Sequence, residues 1–390
     1  MLPRLARHSL ARLLRGFPVV AVTGPRQSGK TTLVRSLLPE RPYVSLENPD
    51  AREFALQDPR GFLAQFPGGA VLDEVQRAPQ LLSWLLQRVD ESRQLGEWVL
   101  TGSAQLDLMA GLTQTLAGRV GRLELLPFAA AELGARLPSS LDETLLRGGY
   151  PALFDRPVAP QDWFAAYVAS YLERDVRQLV GVRDLLQFQR FVRLCAARSG
   201  QMLNLAALGN DAGVSAVTAR KWLSVLEASY LVTRLPPYHQ NFGKRLVKTP
   251  KLYFLDSGLL AWLLGIRDAA TLAHHPARGA LFEGWVLAEL LKWQHNAAQP
   301  GAAFFWRDHI GNEVDLLLET PEGLQALEIK SGQTFASDWA APLQRWQGWA
   351  QAAGLALRQP MLVWGGVGQV ARQGLLALGW RAYGLGLGRG

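Results

Sequence analysis

Eight residues, Gly24-Pro25-Arg26-Gln27-Ser28-Gly29-Lys30-Thr31, followed by Thr32, carry the spacing G-x-x-x-x-G-K-[ST]. Pro18–Val22 reads as a short buried strand and Thr31–Leu38 has apolar residues at helical spacing, so the glycines fall between strand and helix. There backbone N–H groups converge on phosphate at a helix N-terminus, Lys30 reaches β/γ oxygens, and the Thr31 hydroxyl can hold Mg²⁺. The expected ligands are therefore ATP and Mg²⁺. A glycine-rich turn with a chance lysine is the alternative, and the flanking strand and helix argue against it.

About forty residues on, Gly69–Glu74 is an apolar run ending in two adjacent carboxylates, a Walker B arrangement. Asp73 would hold Mg²⁺ through water and Glu74 would polarise the attacking water. The next apolar run, Trp98–Thr101, ends at Gly102-Ser103. Ser103 is a candidate sensor of the γ-phosphate, or else a helix N-cap. Arg119, on the glycine-flanked turn Gly118-Arg119-Val120-Gly121-Arg122, is a candidate arginine finger for a neighbouring subunit, or else a surface arginine. A finger acting in trans would require a homo-oligomer.

Toward the C-terminus the candidate chemistry changes. Glu283 lies on a predicted helix (Ala280–Asn296), Asp315 on a strand (Glu313–Glu319), and Glu328 and Lys330 on the next strand (Leu324–Lys330). Side chains two apart on a strand share a face, so that face gathers two carboxylates and an ammonium. Between these sites, predicted helices at Leu203–Leu208 and Ala216–Glu227 flank the turn Gly213-Val214-Ser215, at helix-turn-helix spacing with Ser215 as N-cap. Val217, Trp222, Leu223 and Leu226 are expected inside, with Thr218, Arg220 and Lys221 outside. Apolar runs at Leu231–Leu235 and Leu252–Leu255 then bracket the basic loop Lys244-Arg245-Leu246-Val247-Lys248, like the wing of a winged helix. The DNA-binding candidates are Thr218, Arg220, Lys221, Lys244, Arg245 and Lys248.

Charge points to the same segment. The formal net charge is +8, and residues 180–256 hold eleven positive side chains against four negative, so nearly all the excess lies in one module. Phosphate contacts dominate nucleic-acid affinity, which favours DNA as partner, while many winged helices bind only protein. Lysine is scarce: only Lys30, Lys221, Lys244, Lys248, Lys251, Lys292 and Lys330 among 41 basic residues. The single Cys195 cannot form an internal disulfide, and no apolar run approaches a membrane span. Residues 1–16 read as an amphipathic helix, not a signal peptide, so a reducing cytoplasm is the expected setting.

The set Gly24–Thr32, Leu72-Asp73-Glu74-Val75-Gln76, Leu100-Thr101-Gly102-Ser103 and Leu116-Ala117-Gly118-Arg119-Val120 resembles a widespread prokaryotic AAA+ family. Its members join this ATPase to a C-terminal domain whose function has long been unknown. Gly148-Gly149-Tyr150-Pro151 and Tyr171-Leu172-Glu173-Arg174-Asp175-Val176 resemble further signatures of that family. The resemblance implies ATP binding and hydrolysis, and as oligomer a hexameric ring is one candidate. The C-terminal order of elements resembles the PD-(D/E)xK nuclease fold, which implies Asp315 and Glu328 as Mg²⁺ ligands, Lys330 as water-positioning group and Glu283 as auxiliary acid. A scaffold of that kind that no longer cuts is the alternative. The expected architecture is α/β throughout: an AAA+ P-loop ATPase domain (1–135), a helical lid or linker (136–179), a winged helix-turn-helix (180–256) and a restriction-endonuclease-like α/β domain (257–390). Three functions stay open: an ATPase remodelling or translocating DNA, with branched or junction DNA as one candidate, a nucleotide-dependent switch binding protein, and an ATP-gated nuclease of a defence system.

Overall fold

Strand β1 (Val19–Thr23) is buried along its whole length, and that explains its unbroken apolar sequence. The computed structural model describes residues 2–103, 118–171, 185–238, 247–372 and 374–387. The chain divides into two compact units. One holds Met1–Phe128, Ala228–Tyr230 and Lys292–Gln299, and the other holds Ala129–Glu227, Leu231–Leu291 and Pro300–Gly390.

In the first unit, β1, β2 (Tyr43–Ser45), β3 (Val71–Asp73), β4 (Trp98–Gly102) and β5 (Val120–Glu124) form a parallel sheet in the order β2-β3-β4-β1-β5. Alternate residues face opposite layers. Val19, Ala21, Leu72, Trp98 and Leu100 pack with Leu81, Leu85 and Val89 of helix Leu81–Ser92. Val20, Val22, Val71 and Val99 pack with Ala6 and Leu10 of helix Ala6–Gly16 and with Leu33 and Val34 of helix Lys30–Leu37. A sheet covered on both faces reads as continuous hydrophobic runs, as the sequence does here. Because β4 lies between β1 and β3, the ends of all three strands converge where β1 gives way to the glycine loop.

The second unit places two consecutive helices where the sequence analysis expects a helix-turn-helix. Helix Leu205–Ala212 starts on Asn204, whose side chain accepts from Ala207 N at 3.0 Å, and ends at Gly213 with φ +76°. Helix Ala216–Ala228 is capped by Ser215, whose Oγ accepts from Thr218 N at 3.1 Å. Two details differ from expectation. The first helix lies later than Leu203–Leu208, because the Asn204 cap sets its start. Val217 is 65% exposed, and Ala219, Trp222, Leu223 and Leu226 make the buried face. Val217 falls in the first turn, off that stripe. Strands β6 (Val232–Leu235) and β7 (Lys251–Phe254) follow as an antiparallel pair. Lys244 and Arg245, with part of the bracketed loop, lie outside the described residues, as do Leu116, Ala117 and Leu172–Val176.

The C-terminal sheet has the order β12-β13-β11-β10-β9-β8, formed by β8 (Ala303–Arg307), β9 (Glu313–Thr320), β10 (Gly323–Lys330), β11 (Met361–Trp364), β12 (Gln369–Arg372) and β13 (Leu375–Gly379). Leu343, Trp346 and Ala350 of helix Ala341–Ala352 cover one face, against Trp306, Leu317, Leu324 and Leu362. The apolar run Leu375–Tyr383 reads from its sequence alone as a single strand, but it breaks at Gly379 into the helix Trp380–Gly386. Trp380 and Tyr383, three apart, are both buried, as residues on one face of a helix are.

The Gly148-Gly149-Tyr150-Pro151 signature has a physical basis. Gly148 has φ +68°, and a Cβ there would lie 2.3 Å from Asp256 Oδ1. Asp256 Oδ2 accepts from Gly149 N at 2.8 Å while Oδ1 caps the helix Ser257–Leu263 through Leu259 N at 2.9 Å. Tyr150 then packs on Trp163 and Tyr167 at centroid distances of 4.7 and 5.0 Å. Gly148→Ala is expected to cost roughly 2 kcal/mol or more, against about 1 kcal/mol for Gly134→Ala, where φ is also positive but nothing stands within 4 Å. Urea midpoints of the two variants check this, and equal losses would contradict it.

Candidate active site

The loop after β1 is built to bring backbone close to a ligand. Gly24 has φ +149° with the site of a Cβ only 2.2 Å from Leu125 O, and Gly29 has φ +93°. A larger residue at Gly24 would collide with that carbonyl, and at Gly29 it would be strained by the positive φ. Gln27 adopts φ +63° between them. From behind, Arg4 donates to Ser28 O and to Leu126 O, both at 2.7 Å, and its guanidinium lies over the Phe128 ring. Ser28 is fully buried and its Oγ has no hydrogen-bond partner among the described residues. A buried hydroxyl without a partner beside a glycine cradle fits a loop that takes up phosphate oxygens.

Lys30 opens helix Lys30–Leu37 and is 5% exposed, its Nζ donating to Gly24 O at 3.0 Å and Pro25 O at 2.8 Å. Burial pulls the ammonium down to about 8, against the opposing pull of Glu74 and Asp73. Next to it Thr31 Oγ1 donates to Asp73 Oδ1 at 3.0 Å. Asp73 ends β3 and also accepts from Tyr43 OH at 2.6 Å and from Thr101 Oγ1. Burial and the Asp73 carboxylate push the Tyr43 phenol well up, so it stays a donor. A threonine hydroxyl and a carboxylate at hydrogen-bond distance are oxygen donors suited to Mg²⁺.

Glu74 stands in the left-handed region at φ +56°, with its N–H donating to Thr101 Oγ1 at 3.3 Å. Such a conformation in a non-glycine residue is costly and marks a position held by its surroundings. Its Oε2 accepts from Ser103 Oγ at 3.2 Å and from Gln76 Nε2, and Gln76 also donates to Ser103 Oγ at 3.0 Å. The two sequence candidates Glu74 and Ser103 thus stand together, joined by Gln76. Thr32 follows on the same helix, and Arg26 pairs with Glu47 at 3.3 Å.

Tyr43, Thr101, Gln76 and Arg4 had not been singled out for these roles, and neither had Tyr230, whose hydroxyl shares a 2.7 Å hydrogen bond with Thr23 just ahead of the loop. Their long separation in the chain leaves no local pattern to read. Arg119 lies elsewhere: it precedes β5 beside Val19, at the N-terminal edge of the parallel sheet, about 17 Å of strand from the glycine loop. It pairs with Asp90 at 2.6 Å, both side chains being substantially exposed.

In the second unit, Glu283, Asp315, Glu328 and Lys330 do come together, with four residues that the sequence pattern does not place there, Lys251, Tyr253, Arg307 and Glu313. Lys251 pairs with Glu283 at 2.9 Å and with Glu313, and Arg307 pairs with Glu313 at 2.9 Å. Tyr253 OH donates to Glu283 Oε1. Lys330 Nζ donates to Glu328 Oε1 at 2.5 Å, and Asp315 Oδ2 accepts from Ile329 N at 2.8 Å. Burial, with Glu283 and Glu328 near, holds the Asp315 carboxyl well above the usual range. Burial lowers the Lys330 ammonium, but Glu328, Asp315 and Glu283 more than offset it and hold it above its ordinary value. Among the described residues no three His, Cys, Asp or Glu side chains converge as a metal-binding group. Asp315 and Glu328 stand side by side on neighbouring strands, each already engaged, Asp315 by the Ile329 N–H and Glu328 by the Lys330 ammonium.

The basic module is less uniformly exposed than its charge count. Lys251 is 4% exposed, Arg198 pairs with Asp211, and Arg234 pairs with Glu227. Arg220, Lys221 and Lys248 are exposed and Thr218 is half-buried.

Fold and site define an AAA-type P-loop ATPase: residues 16–134 match the AAA domain family. Residues 138–270 and 278–382 match two families described as domains of unknown function, DUF8612 and DUF4143. Over 337 residues the chain is 36% identical to uncharacterized protein Rv2008c of Mycobacterium tuberculosis and to uncharacterized protein Mb2031c of Mycobacterium bovis, covering 85% of this chain and 74% of each relative. The chain belongs to their family of AAA-domain proteins. Among solved structures, the Walker-type ATPase PABY2304 of Pyrococcus abyssi aligns with TM-score 0.42 and 15% identity, covering 66% of this chain and 94% of that one. RuvB T158V of Thermotoga maritima aligns with TM-score 0.28 and 20% identity, covering 59% and 89%. Likeness at these scores carries no argument about function. No helix among the described residues is long and apolar enough to cross a membrane.

The Thr101 hydroxyl touches both Asp73 and Glu74, so Thr101→Val should weaken Mg²⁺–ATP binding about tenfold while leaving Mg²⁺-free ATP binding nearly unchanged. Fluorescent-nucleotide titrations with and without Mg²⁺ check this. An equal loss in both would show that Thr101 serves the loop and not the carboxylate.

Proposed function

We propose that this protein is a Mg²⁺-dependent AAA+ ATPase that couples ATP hydrolysis to binding and remodelling or translocation of DNA. It would be built from a P-loop domain (1–135), a helical linker (136–179), a winged helix (180–256) and a nuclease-like domain (257–390). The observation that carries the ATPase reading is the meeting of Thr31 and Asp73 at 3.0 Å beside Lys30 and Glu74. ATP supplies the scissile phosphoanhydride, and Mg²⁺ when bound would be held by Thr31 and, through water, Asp73. The glycine loop and Lys30 bind and orient the phosphates. Glu74, fixed by Thr101 and Gln76, takes the proton of the attacking water at its carboxylate, and Ser103 orients Glu74. Arg119 would reach a neighbouring subunit's nucleotide, which makes the working form a homo-oligomer.

DNA binding is supported by the exposed Arg220, Lys221 and Lys248 on and beside the helix-turn-helix. Backbone or shape recognition suits them better than base readout. The switch reading keeps the same nucleotide site but makes turnover indifferent to DNA.

Lys30→Ala should abolish nucleotide binding, whereas Glu74→Gln should keep binding and slow hydrolysis by roughly a hundredfold or more. Normal turnover in Glu74→Gln would sink the assignment of the general base. Arg119→Ala should lose turnover yet regain part of it when co-assembled with Lys30→Ala subunits. A verified mixed oligomer with no recovery would argue against action in trans.

DNA affinity should fall steeply with salt. Reversing Lys221 and Lys248 to Glu should flatten the log–log salt slope by roughly two units if both contact phosphate. Binding to duplex and branched DNA at several salt concentrations measures it, and an unchanged slope would move the nucleic-acid surface elsewhere.

A further inference from the structure

We propose that Lys251 is a built-in counter-cation that occupies the acidic face of the second unit in place of a divalent metal, making that face an ion-paired joint and not a metal centre. The inference rests on reading the C-terminal sheet as a nuclease-like scaffold, and it names what has become of that scaffold's acidic site.

The geometry is specific. Lys251 is the first residue of β7 and 4% exposed. Its Nζ lies 2.9 Å from Glu283 Oε1 on helix Arg278–Asn296, makes a second ion pair with Glu313 on β9, and sits 5.5 Å from the centroid of the Phe305 ring on β8. The same Glu283 oxygen receives the Tyr253 hydroxyl. Glu313 is further paired with Arg307, and Glu328 with Lys330. Four carboxylates, Glu283, Glu313, Asp315 and Glu328, are therefore matched by three side-chain cations and a backbone N–H.

A Mg²⁺ or Mn²⁺ ion would have to displace an ammonium that two carboxylates already hold and that its own backbone returns to the same place. Mg²⁺ also demands near-octahedral oxygen geometry and gives up water reluctantly, whereas a lysine ammonium needs only its three donors satisfied. The tethered cation, itself buried and held by two carboxylates, is the better fit to this site. Removing one partner of a buried ion pair leaves an uncompensated charge, so the pocket without Lys251 should seek another cation. Glu328 Oε2, buried and with no hydrogen-bond partner, would be available to it.

The test is a Mn²⁺ titration of the full chain without nucleotide, read by calorimetry and by the shift in melting temperature. The wild type should show no Mn²⁺ binding that Glu283→Gln removes. Lys251→Met should bind Mn²⁺ at least tenfold more tightly than the wild type and gain several degrees of melting temperature from it. Adding Glu283→Gln to Lys251→Met should cancel both gains. Lys251→Gln, which keeps a donor toward Glu283 but drops the charge, serves where the methionine variant does not fold. Wild-type Mn²⁺ binding that depends on Glu283, or Lys251 variants as indifferent to Mn²⁺ as the wild type, would overturn the proposal. Should neither variant fold, the comparison of wild type with Glu283→Gln decides alone. None of these readouts uses ATP, so a failure of the ATPase reading would show separately in turnover of the wild type.

Discussion

One carboxylate organises the first unit. Asp73 ends β3 and accepts from Thr31 at the start of the P-loop helix, from Thr101 at the end of β4 and from Tyr43 on β2. Three elements bring hydroxyls to one charged group, and none could move far without leaving that group without a partner in a dry place, a costly arrangement. The strand order enforces the meeting, because β4 stands between β1 and β3. Glu74 inherits its place from the same constraint: it follows Asp73 directly, is held at φ +56°, and its N–H is received by the hydroxyl that also serves Asp73.

Much of this site is legible in the sequence, since its parts are short and contiguous. A glycine loop between strand and helix, and two acids ending an apolar strand, state their chemistry within a few residues. Tyr43, Gln76, Arg4 and Tyr230 were not legible in these roles, because each acts across a sheet or a long chain separation that no local pattern encodes. Local rules also misplaced Val217 and the end of the run Leu375–Tyr383. In both places the buried stripe is set by what packs against it, and hydrophobicity alone cannot tell a helix turn from a strand over so few residues.

The second unit shows how a motif can be present and yet be spent on something else. Glu283, Asp315, Glu328 and Lys330 do share one locality, Glu328 and Lys330 on one strand face by alternation. The unread partner was Lys251, which counts in the sequence as one more positive charge of a basic module but is buried against Glu283 and Glu313. Charge counting assigns residues by position along the chain, whereas ion pairs form by position in space. The surface that remains basic is correspondingly smaller, centred among the described residues on groups such as Arg220, Lys221 and Lys248.

Asp73 is also where the account is most exposed to test. Asp73→Asn keeps the size and one acceptor of the side chain but removes the charge that Mg²⁺ needs. Phosphate release should be measured for both proteins over a Mg²⁺ titration. The account predicts Mg²⁺-dependent ATP hydrolysis by the wild type and its loss, by roughly two orders of magnitude or more, in Asp73→Asn, with Mg²⁺-free ATP binding retained. Undiminished Mg²⁺-dependent hydrolysis in Asp73→Asn would contradict it.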